Sequence, residues 1–251
     1  MSLRTVAVIQ ARTGSSRLPS KVLAPLSGRP LIERVLQRAA RARRVDEVVL
    51  ATTENLNDDP VARIAECAGF RVVRGSEHDV LSRFALAIKA SSADVVVRLT
   101  GDCPLLEPDV IDLAIERFEA SGADYAYAST RCGFPRGLDT EVVRAKHLLT
   151  ADAVSTDAFE REHVTPYVDR RPDQFVHARV GAPPGLTRPA YRLCVDEPVD
   201  LELVDLLYRC LADADGWVRV ADVIDFLDQH PHLARLNAHV HQVVDTKTPA
   251  R

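Results

Sequence analysis

The sequence predicts an α/β fold built on a doubly wound, mainly parallel sheet. Short apolar segments alternate with amphipathic segments through the first half of the chain, as in a parallel sheet covered by helices on both faces. The helix starts are marked by proline or by a capping aspartate. Predicted strands lie at 6–10, 47–51, 71–74, 94–98 and 124–128, and predicted helices begin near Pro30, Pro60, Asp79 and Pro108.

The second half of the chain completes the same domain and forms the second wall of a cleft. The pattern predicts, in order, a strand at 141–143, helices at 144–153 and 158–169, strands at 175–180 and 191–195, and helices at 199–212 and 220–230. We predict a single domain over residues 1–241 and a flexible C-terminal tail over residues 242–251.

The composition favours one intracellular domain. A chain of 251 residues that is 46% hydrophobic is long enough to bury a full core. We expect no signal peptide, and the sequence has no run of about 18 apolar residues, so we predict a cytoplasmic protein without membrane contact. Five cysteines without a C-x-x-C pair argue against a disulfide framework and against a zinc site. The net charge of −4 argues against a nucleic-acid partner.

The loop after the first predicted strand carries the strongest functional signal. Between Ala11 and Lys21 it holds Arg12 and Arg17 around a single glycine, Gly14. It has neither the three glycines of a dinucleotide loop nor the Gly-Lys-Ser/Thr ending of a Walker loop. Arginine offers phosphate oxygens a planar fork and lysine a compact charge. The loop therefore predicts a site for a triphosphate at the carboxyl end of a strand.

Positive charge is concentrated near the N-terminus. Residues 1–44 hold ten Lys or Arg and one Asp or Glu, whereas the whole chain carries −4. Lys21 is one of only four lysines in the chain. Arg34, Arg38 and Arg41 follow at helical spacing, which predicts a solvent-exposed helix face rather than a binding site.

Two aspartates are candidate ligands for the divalent cation that a triphosphate needs. Asp102 follows the apolar run 95–97, and Asp196 follows the predicted strand 191–195. Mg²⁺ usually binds one or two carboxylates together with substrate phosphates. The alternatives are that Asp102 only shapes a turn and that Asp196 caps the helix beginning near Pro198.

Three ordered motifs resemble those of the cytidylyltransferases that activate acidic 2-keto sugars. They lie at residues 11–21, 101–105 and 195–201. The chain is most similar to the branch named after a spore coat polysaccharide biosynthesis protein, beside the sialate, pseudaminate and 3-deoxy-manno-octulosonate enzymes. The resemblance implies a Rossmann-like sheet of the nucleotide-diphospho-sugar transferase type. It also implies a small acceptor and dimerisation subregion at about 130–190, and a homodimer.

The resemblance implies roles for individual residues. Lys21, Arg17 and Asp102 would be catalytic, and Asp102 and Asp196 would hold Mg²⁺. The nucleotide would be bound by Ala11, Arg12, Ser15, Arg17, Lys21, Arg83, Thr100 and Gly101. The implied reaction is attack by a hydroxyl of an acidic sugar, or of a similar small anion, on the α-phosphorus of CTP. It would yield a CMP-sugar and pyrophosphate.

The acceptor side of the site is less defined by the sequence. Arg136 and Arg161 are candidates for pairing with a substrate carboxylate, and Asp139 and Glu141 for binding hydroxyls. The alternative for each is an ordinary ion pair at the surface. The chain departs here from the pattern of the 3-deoxy-manno-octulosonate enzymes. The acceptor therefore stays open between an acidic sugar and another small anion, such as a phosphonate.

Two other functions are compatible with the cationic loop. A GT-A-like glycosyltransferase would use a nucleotide-sugar in surface polysaccharide synthesis and usually carries D-x-D after a central strand. The D-x-D of this chain, at 213–215, follows a predicted helix instead. A non-catalytic nucleotide-binding module would need no pair of metal carboxylates, so Asp196 argues against it.

Overall fold

The computed structural model describes residues 3–241 and centres on one sheet. The strands are β1 Thr5–Gln10, β2 Pro25–Leu26, β3 Arg29–Pro30, β4 Glu47–Thr53, β5 Arg71–Gly75, β6 Val95–Thr100, β7 Tyr125–Ala128, β8 Thr140–Arg144 and β9 His177–Arg179. Seven of them form the sheet in the order β5-β4-β1-β6-β8-β7-β9, while β2 and β3 pair as a separate ribbon.

Helices cover both faces of this sheet. They are α1 Leu31–Ala39, α2 Asp59–Cys67, α3 Val80–Ser91, α4 Pro108–Ser121, α5 Ala145–Val154, α6 Ala158–His163, α7 Pro166–Asp169, α8 Pro198–Leu211, α9 Val220–Gln229 and α10 Pro231–Ala234. Within the described residues, none of these helices is long and apolar enough to cross a membrane.

The strand order places a ligand crevice between β1 and β6. From β1 the chain moves outward through β4 to β5, all parallel, and then returns to place β6 parallel to β1 on its other side. Within the seven-stranded sheet that the described residues form, only β8 runs antiparallel to its neighbours, β6 and β7. The mainly parallel α/β fold is therefore confirmed. In such sheets the crevice for ligands lies at the carboxyl ends of the strands where the order reverses.

The core lies in two layers because the strand residues alternate between the two faces of the sheet. Ala7 and Ile9 of β1 pack in the layer that holds α1, α4, α8 and α9. Val6 and Val8 point to the opposite layer, which holds α3, α5 and α7. Burial on both faces explains why β1 and β6 are apolar runs rather than alternating patterns.

Two predicted elements of the second half are wrong. Residues 191–195 form no strand and contribute only an isolated bridge between Arg192 and Arg136. The predicted helix at 158–169 is interrupted, because α6 ends at His163 and α7 begins at Pro166. The predicted flexible tail at 242–251 lies outside the described residues.

The predicted solvent-exposed face is wrong for Arg34 and Arg38, whereas Arg41 is exposed as predicted. Arg34 and Arg38 are buried, with 6% and 2% of their surface exposed. Arg38 donates to the backbone carbonyls of Leu106 and Val218 and lies over the ring of Trp217 at 3.9 Å. Helical spacing alone could not reveal this, because the aromatic ring and the two carbonyls come from distant parts of the chain.

We expect Arg38→Ala to lower the free energy of unfolding by about 3 kcal/mol, because it leaves Glu107 and two buried carbonyls without their partner. Urea unfolding followed by circular dichroism measures this. Arg43→Ala is the matched control, since the Arg43 side chain is 79% exposed and should change stability by less than about 0.5 kcal/mol. Equal effects of the two variants would contradict the assignment.

Candidate active site

A cavity of about 570 Å³ opens at the carboxyl ends of β1 and β6, as the strand order requires. Its walls come from the loop after β1, the turn after β6, the start of α3, the end of α6 and Asp196. The loop after β1, residues 11–20, is called here the cationic loop. It runs from the end of β1 to a short 3₁₀ turn, Lys21–Leu23.

A buried carboxylate holds the cationic loop in place. Asp58, which is 2% exposed, accepts hydrogen bonds from both the backbone N–H and the Oγ1 of Thr13 at 2.7 Å. The carbonyl of Thr13 in turn accepts from the N–H of Ser15 at 2.8 Å and of Ser20 at 2.9 Å. The loop is thereby folded before any ligand binds, which lowers the cost of ordering it around phosphates.

Lys21 lies between the two predicted metal carboxylates. Its Nζ donates to Asp102 Oδ2 and to Asp196 Oδ1, both at 2.7 Å. The side chain is only 10% exposed. Burial would lower the pKa of Lys21, but the charges of Asp102 and Asp196 outweigh it and raise the pKa above its ordinary value. Lys21 is therefore an ammonium at neutral pH.

Asp196 is the most strongly paired carboxylate in the cavity wall. It contacts Arg17 Nη2 at 2.9 Å and Arg192 Nη2 at 2.5 Å, in addition to Lys21. Burial raises its pKa, but the nearby cations, led by Lys21, bring the pKa below its usual range. It does not cap α8, since Glu197 and Asp200 form a capping box there instead.

Gly101 permits the turn after β6 to approach β1 closely. Its N–H donates to the carbonyl of Gln10 at 2.9 Å. A Cβ at this position would lie 2.7 Å from the Cβ of Ala11, which no side chain tolerates without a backbone shift. The glycine thus brings Asp102 next to the cationic loop.

Arg83 is a buried cation at the cavity wall. It is 2% exposed, donates from Nη1 to the carbonyl of Ala51 at 3.2 Å, and has no hydrogen-bond partner at Nε. Among residues 3–241 no carboxylate forms an ion pair with it. Burial first, and then the charge of Arg12, lowers its pKa to about 10. An anion bound in the cavity would supply the missing negative charge.

Asp102 and Asp196 place two carboxylates beside one another in the cavity wall. Because Asp102 and Asp196 contact the same ammonium at 2.7 Å, their carboxylates converge on one point. Among residues 3–241 no group of three or more His, Cys, Asp or Glu is arranged to hold a metal ion. A cation here would therefore complete its shell with substrate oxygens and water, which is the usual way that proteins bind Mg²⁺.

The family model described as cytidylyltransferase matches residues 6–215, which include every residue that lines this cavity. The chain belongs to the cytidylyltransferase family. It is a CTP-dependent nucleotidyltransferase, which confirms the predicted enzyme class.

Individual relatives agree with this assignment. The spore coat polysaccharide biosynthesis protein SpsF of Bacillus subtilis is 36% identical over 233 residues, which are 90% of this chain and 95% of that protein. A 3-deoxy-manno-octulosonate cytidylyltransferase of Chlorobium phaeobacteroides is 42% identical over 118 residues, 46% of each chain. The structure of a cytidylyltransferase from Leptospira borgpetersenii superposes with a TM-score of 0.86 at 28% identity and covers 97% of this chain and 100% of that one.

The structure brings the predicted nucleotide and metal residues of this cytidylyltransferase to a single cavity. Its lining includes Ala11, Arg12, Ser15, Arg17, Lys21, Arg83, Thr100, Gly101, Asp102 and Asp196. These positions are separated by up to 185 residues in the sequence but meet at the ends of two neighbouring strands.

The four predicted acceptor residues do not line the cavity. Glu141 is held in β8 by hydrogen bonds from Arg98, Tyr125 and Thr165. Burial raises the pKa of Glu141, but these partners, Arg98 foremost, lower it more. Its carboxylate is therefore a fixed charge inside the sheet.

The other three acceptor candidates of the cytidylyltransferase also contact protein groups. Arg161 pairs with Asp79 at 2.5 Å and with Asp152 at 2.8 Å. Asp139 accepts from the N–H of Gly137 at 3.0 Å, and Arg136 lies at the bridge to residue 192. Their part in acceptor binding stays a prediction.

The sequence did not single out four polar residues of the cavity wall, Gln10, Ser16, Glu162 and His163, and the last two lie outside the strand and loop at the N-terminus. These two follow Arg161 directly, within the segment expected to form the acceptor wall. The local pattern favoured Arg161, but its ion pair with Asp79 ties it to the start of α3. That tertiary contact leaves the last two residues of α6 at the cavity.

Proposed function

We propose that this enzyme transfers CMP from CTP to a hydroxyl of an acidic 2-keto sugar, or of a similar small anion, with Mg²⁺ and with release of pyrophosphate. The convergence of Asp102 and Asp196 on one cationic position, beside a preformed cationic loop, carries this proposal. A metal ion, the phosphates and the reacting α-phosphorus would then lie within one cavity.

Different cations of the cavity would contact different phosphates of the bound triphosphate. Arg12 and Arg17 come from the cationic loop, and Arg83 comes from α3 on the adjoining wall. Arg12 and Arg17 are partly exposed, at 36% and 29%, and pair with Glu77 at 3.1 Å and Asp196 at 2.9 Å, so each would exchange or share that carboxylate when it contacts a phosphate. Their planar forks suit phosphate oxygens, and Arg83, with which no carboxylate of the described residues forms an ion pair, strengthens the attraction.

Asp102 and Asp196 would hold Mg²⁺, which supplies charge neutralisation and polarisation of the phosphate when bound. Lys21 would then leave the two carboxylates and donate to a phosphate oxygen of the leaving pyrophosphate. Such fixed cations stabilise charge that develops during phosphoryl transfer. No nucleophilic Ser or Cys is needed, because the acceptor hydroxyl attacks directly.

The acceptor is proposed from the relatives and not from the cavity. One relative is named for spore coat polysaccharide biosynthesis and another for 3-deoxy-manno-octulosonate. The first name points to a sugar that enters a spore coat polysaccharide, and the second to an acidic sugar. A homodimer remains a prediction.

Pyrophosphate release tests the proposal. The enzyme is incubated with Mg²⁺ and each of the four nucleoside triphosphates, against sialic, legionaminic, pseudaminic and 3-deoxy-manno-octulosonic acids and small phosphonates. We expect release only with CTP and one acceptor, together with a product whose mass is that of the acceptor joined to CMP. Hydrolysis of a nucleotide-sugar, with no release from any triphosphate, would overturn the proposal in favour of a glycosyltransferase.

A further inference from the structure

Val164, between α6 and α7, has a backbone conformation that valine almost never adopts. Its φ is +72° and its ψ is −61°. The N–H of Thr165 donates to the carbonyl of His163 at 2.9 Å, which closes a three-residue turn of the strained kind. For a β-branched residue such a conformation costs free energy and persists only where the surroundings impose it.

The surroundings impose it from both sides. Val164 is fully buried and packs in the same apolar layer as Phe84 and Val168. The next residue, Thr165, is 3% exposed and donates from Oγ1 to Glu141 Oε1 at 2.8 Å. Glu141 is itself fixed in β8, so the turn is attached to the central sheet.

The preceding helix is anchored as well. Glu160 is buried, accepts from Ser155 Oγ, and pairs with Arg171 at 2.7 Å. Arg161 ties α6 to Asp79, which caps the N-terminus of α3. The strained turn therefore joins two fixed segments.

The two residues just before the turn, Glu162 and His163, line the cavity. They belong to α6, which packs against α3, the helix that carries the lining residues Val80 and Arg83. A carboxylate at this position repels a triphosphate, but carboxylate and imidazole together accept and donate hydrogen bonds to hydroxyls. Their chemistry fits the hydroxyl-bearing ring of a sugar.

We propose that Val164 is a positioning residue whose strained turn holds Glu162 and His163 against the hydroxyls of a substrate sugar ring. The ring belongs either to the ribose of CTP or to the acceptor. The ligand named in this inference rests on the proposed function, whereas the strain at Val164 is independent of it.

Two variants at one position separate strain from packing. Val164→Ala loses buried methyl groups and keeps the unfavourable positive φ, whereas Val164→Gly loses one carbon more and removes the conformational penalty. We therefore expect the glycine variant to unfold at a urea concentration equal to or higher than that of the alanine variant. A markedly less stable glycine variant would show that the turn is not strained and would overturn the inference.

The same pair tests positioning. We expect Val164→Gly to raise the KM of one substrate about tenfold, the size of one lost hydrogen bond to a charged group, with kcat within about twofold. Val164→Ala should keep both parameters near those of the unchanged enzyme. His163→Ala and Glu162→Gln should raise the KM of that same substrate. If the KM for CTP rises, the bound ring is the ribose. If the KM for the acceptor rises, the bound ring is that of the acceptor. Equal KM values in the glycine and alanine variants would overturn the inference.

A readout without turnover keeps this test apart from the proposed function. The histidine rings are observed in ¹³C-edited NMR spectra, in which His163→Ala assigns the His163 signal. We expect this signal to shift toward that of a mobile ring in Val164→Gly. We expect no such shift in Val164→Ala. If no triphosphate and acceptor react while this contrast appears, the proposed function fails and the positioning role stands. If turnover is found and the contrast is missing, the positioning role fails alone.

Discussion

Asp102→Asn is expected to lower kcat for CMP transfer by about 10³-fold, and more if no cation binds at all. The amide keeps the shape of the carboxylate but removes the charge that faces the common point between Asp102 and Asp196. A metal ion at a phosphate contributes several kcal/mol to the transition state, and about 4 kcal/mol corresponds to this factor. Pyrophosphate release with saturating CTP, acceptor and Mg²⁺ measures it.

A second aspartate provides the control for this variant. Asp109 lies at the start of α4 with 80% of its side chain exposed, so Asp109→Asn should leave kcat unchanged. Binding of Mn²⁺ in the presence of CTP, followed by electron paramagnetic resonance, gives a readout independent of turnover and should weaken in Asp102→Asn. A kcat for Asp102→Asn within tenfold of the unchanged enzyme would refute the role given to this carboxylate.

The sequence predicts those parts of the site that short stretches of consecutive residues specify. The cationic loop and the turn at Gly101 each follow an apolar strand, and the carboxyl ends of parallel strands meet at one edge. Three short motifs were therefore enough to place the nucleotide and metal candidates at one cavity, although no sequence pattern states that Lys21 bridges the two carboxylates.

The parts that the sequence did not predict depend on contacts between distant segments. The sequence predicts that Arg38 is an exposed helical residue, because Trp217, whose ring it contacts, lies far along the chain. The sequence predicts that Glu141 binds hydroxyls of the acceptor, but in the sheet its carboxylate accepts hydrogen bonds from Arg98 and Tyr125. In both cases groups from other elements pair with the charged side chain, which is buried for Arg38 and partly buried for Glu141, and residue type alone carries no signal of that.

The break at Val164 has the same origin. Residues 158–169 have a helical pattern, and only Pro166 warns of an interruption, since proline disfavours helical conformation in the residue before it. The position of the break is fixed by the bond from Thr165 to Glu141 in β8. Local preference was therefore overridden by attachment to the sheet, at a point next to the cavity.

Lys21→Met is expected to reduce both activity and stability. The methionine fills the space of the lysine stem but leaves Asp102 and Asp196 without the ammonium that both contact at 2.7 Å. Removing one partner of a buried ion pair costs about 3 kcal/mol of unfolding free energy. Loss of a charge-assisted contact to the leaving group should lower kcat by about 10² to 10³. Lys89→Met, at the exposed end of α3, is the matched control.

The pH dependence of this stability difference has a defined sign. The lowered pKa of Asp196 stabilises the fold above its unfolded pKa of about 3.9, and this contribution is lost as the pH falls through the folded value. The raised pKa of Lys21 stabilises the fold below about 10.4, and this contribution is lost as the pH rises through the folded value. The difference between the unchanged enzyme and Lys21→Met should therefore be largest between about pH 4 and 10 and shrink on either side.

Adding divalent cations to the stability measurement on Lys21→Met tests whether Asp102 and Asp196 form a metal site. In the unchanged enzyme without nucleotide, Mg²⁺ must displace the Lys21 ammonium from both carboxylates, so it should raise the unfolding temperature little. In Lys21→Met the same carboxylates face each other without that competitor, and Mg²⁺ or Mn²⁺ should restore much of the lost stability by binding the folded state. Thermal unfolding with and without each cation measures this. If the cations stabilise Lys21→Met no more than Lys89→Met, the two aspartates are not a metal site, and Lys21 is their permanent partner.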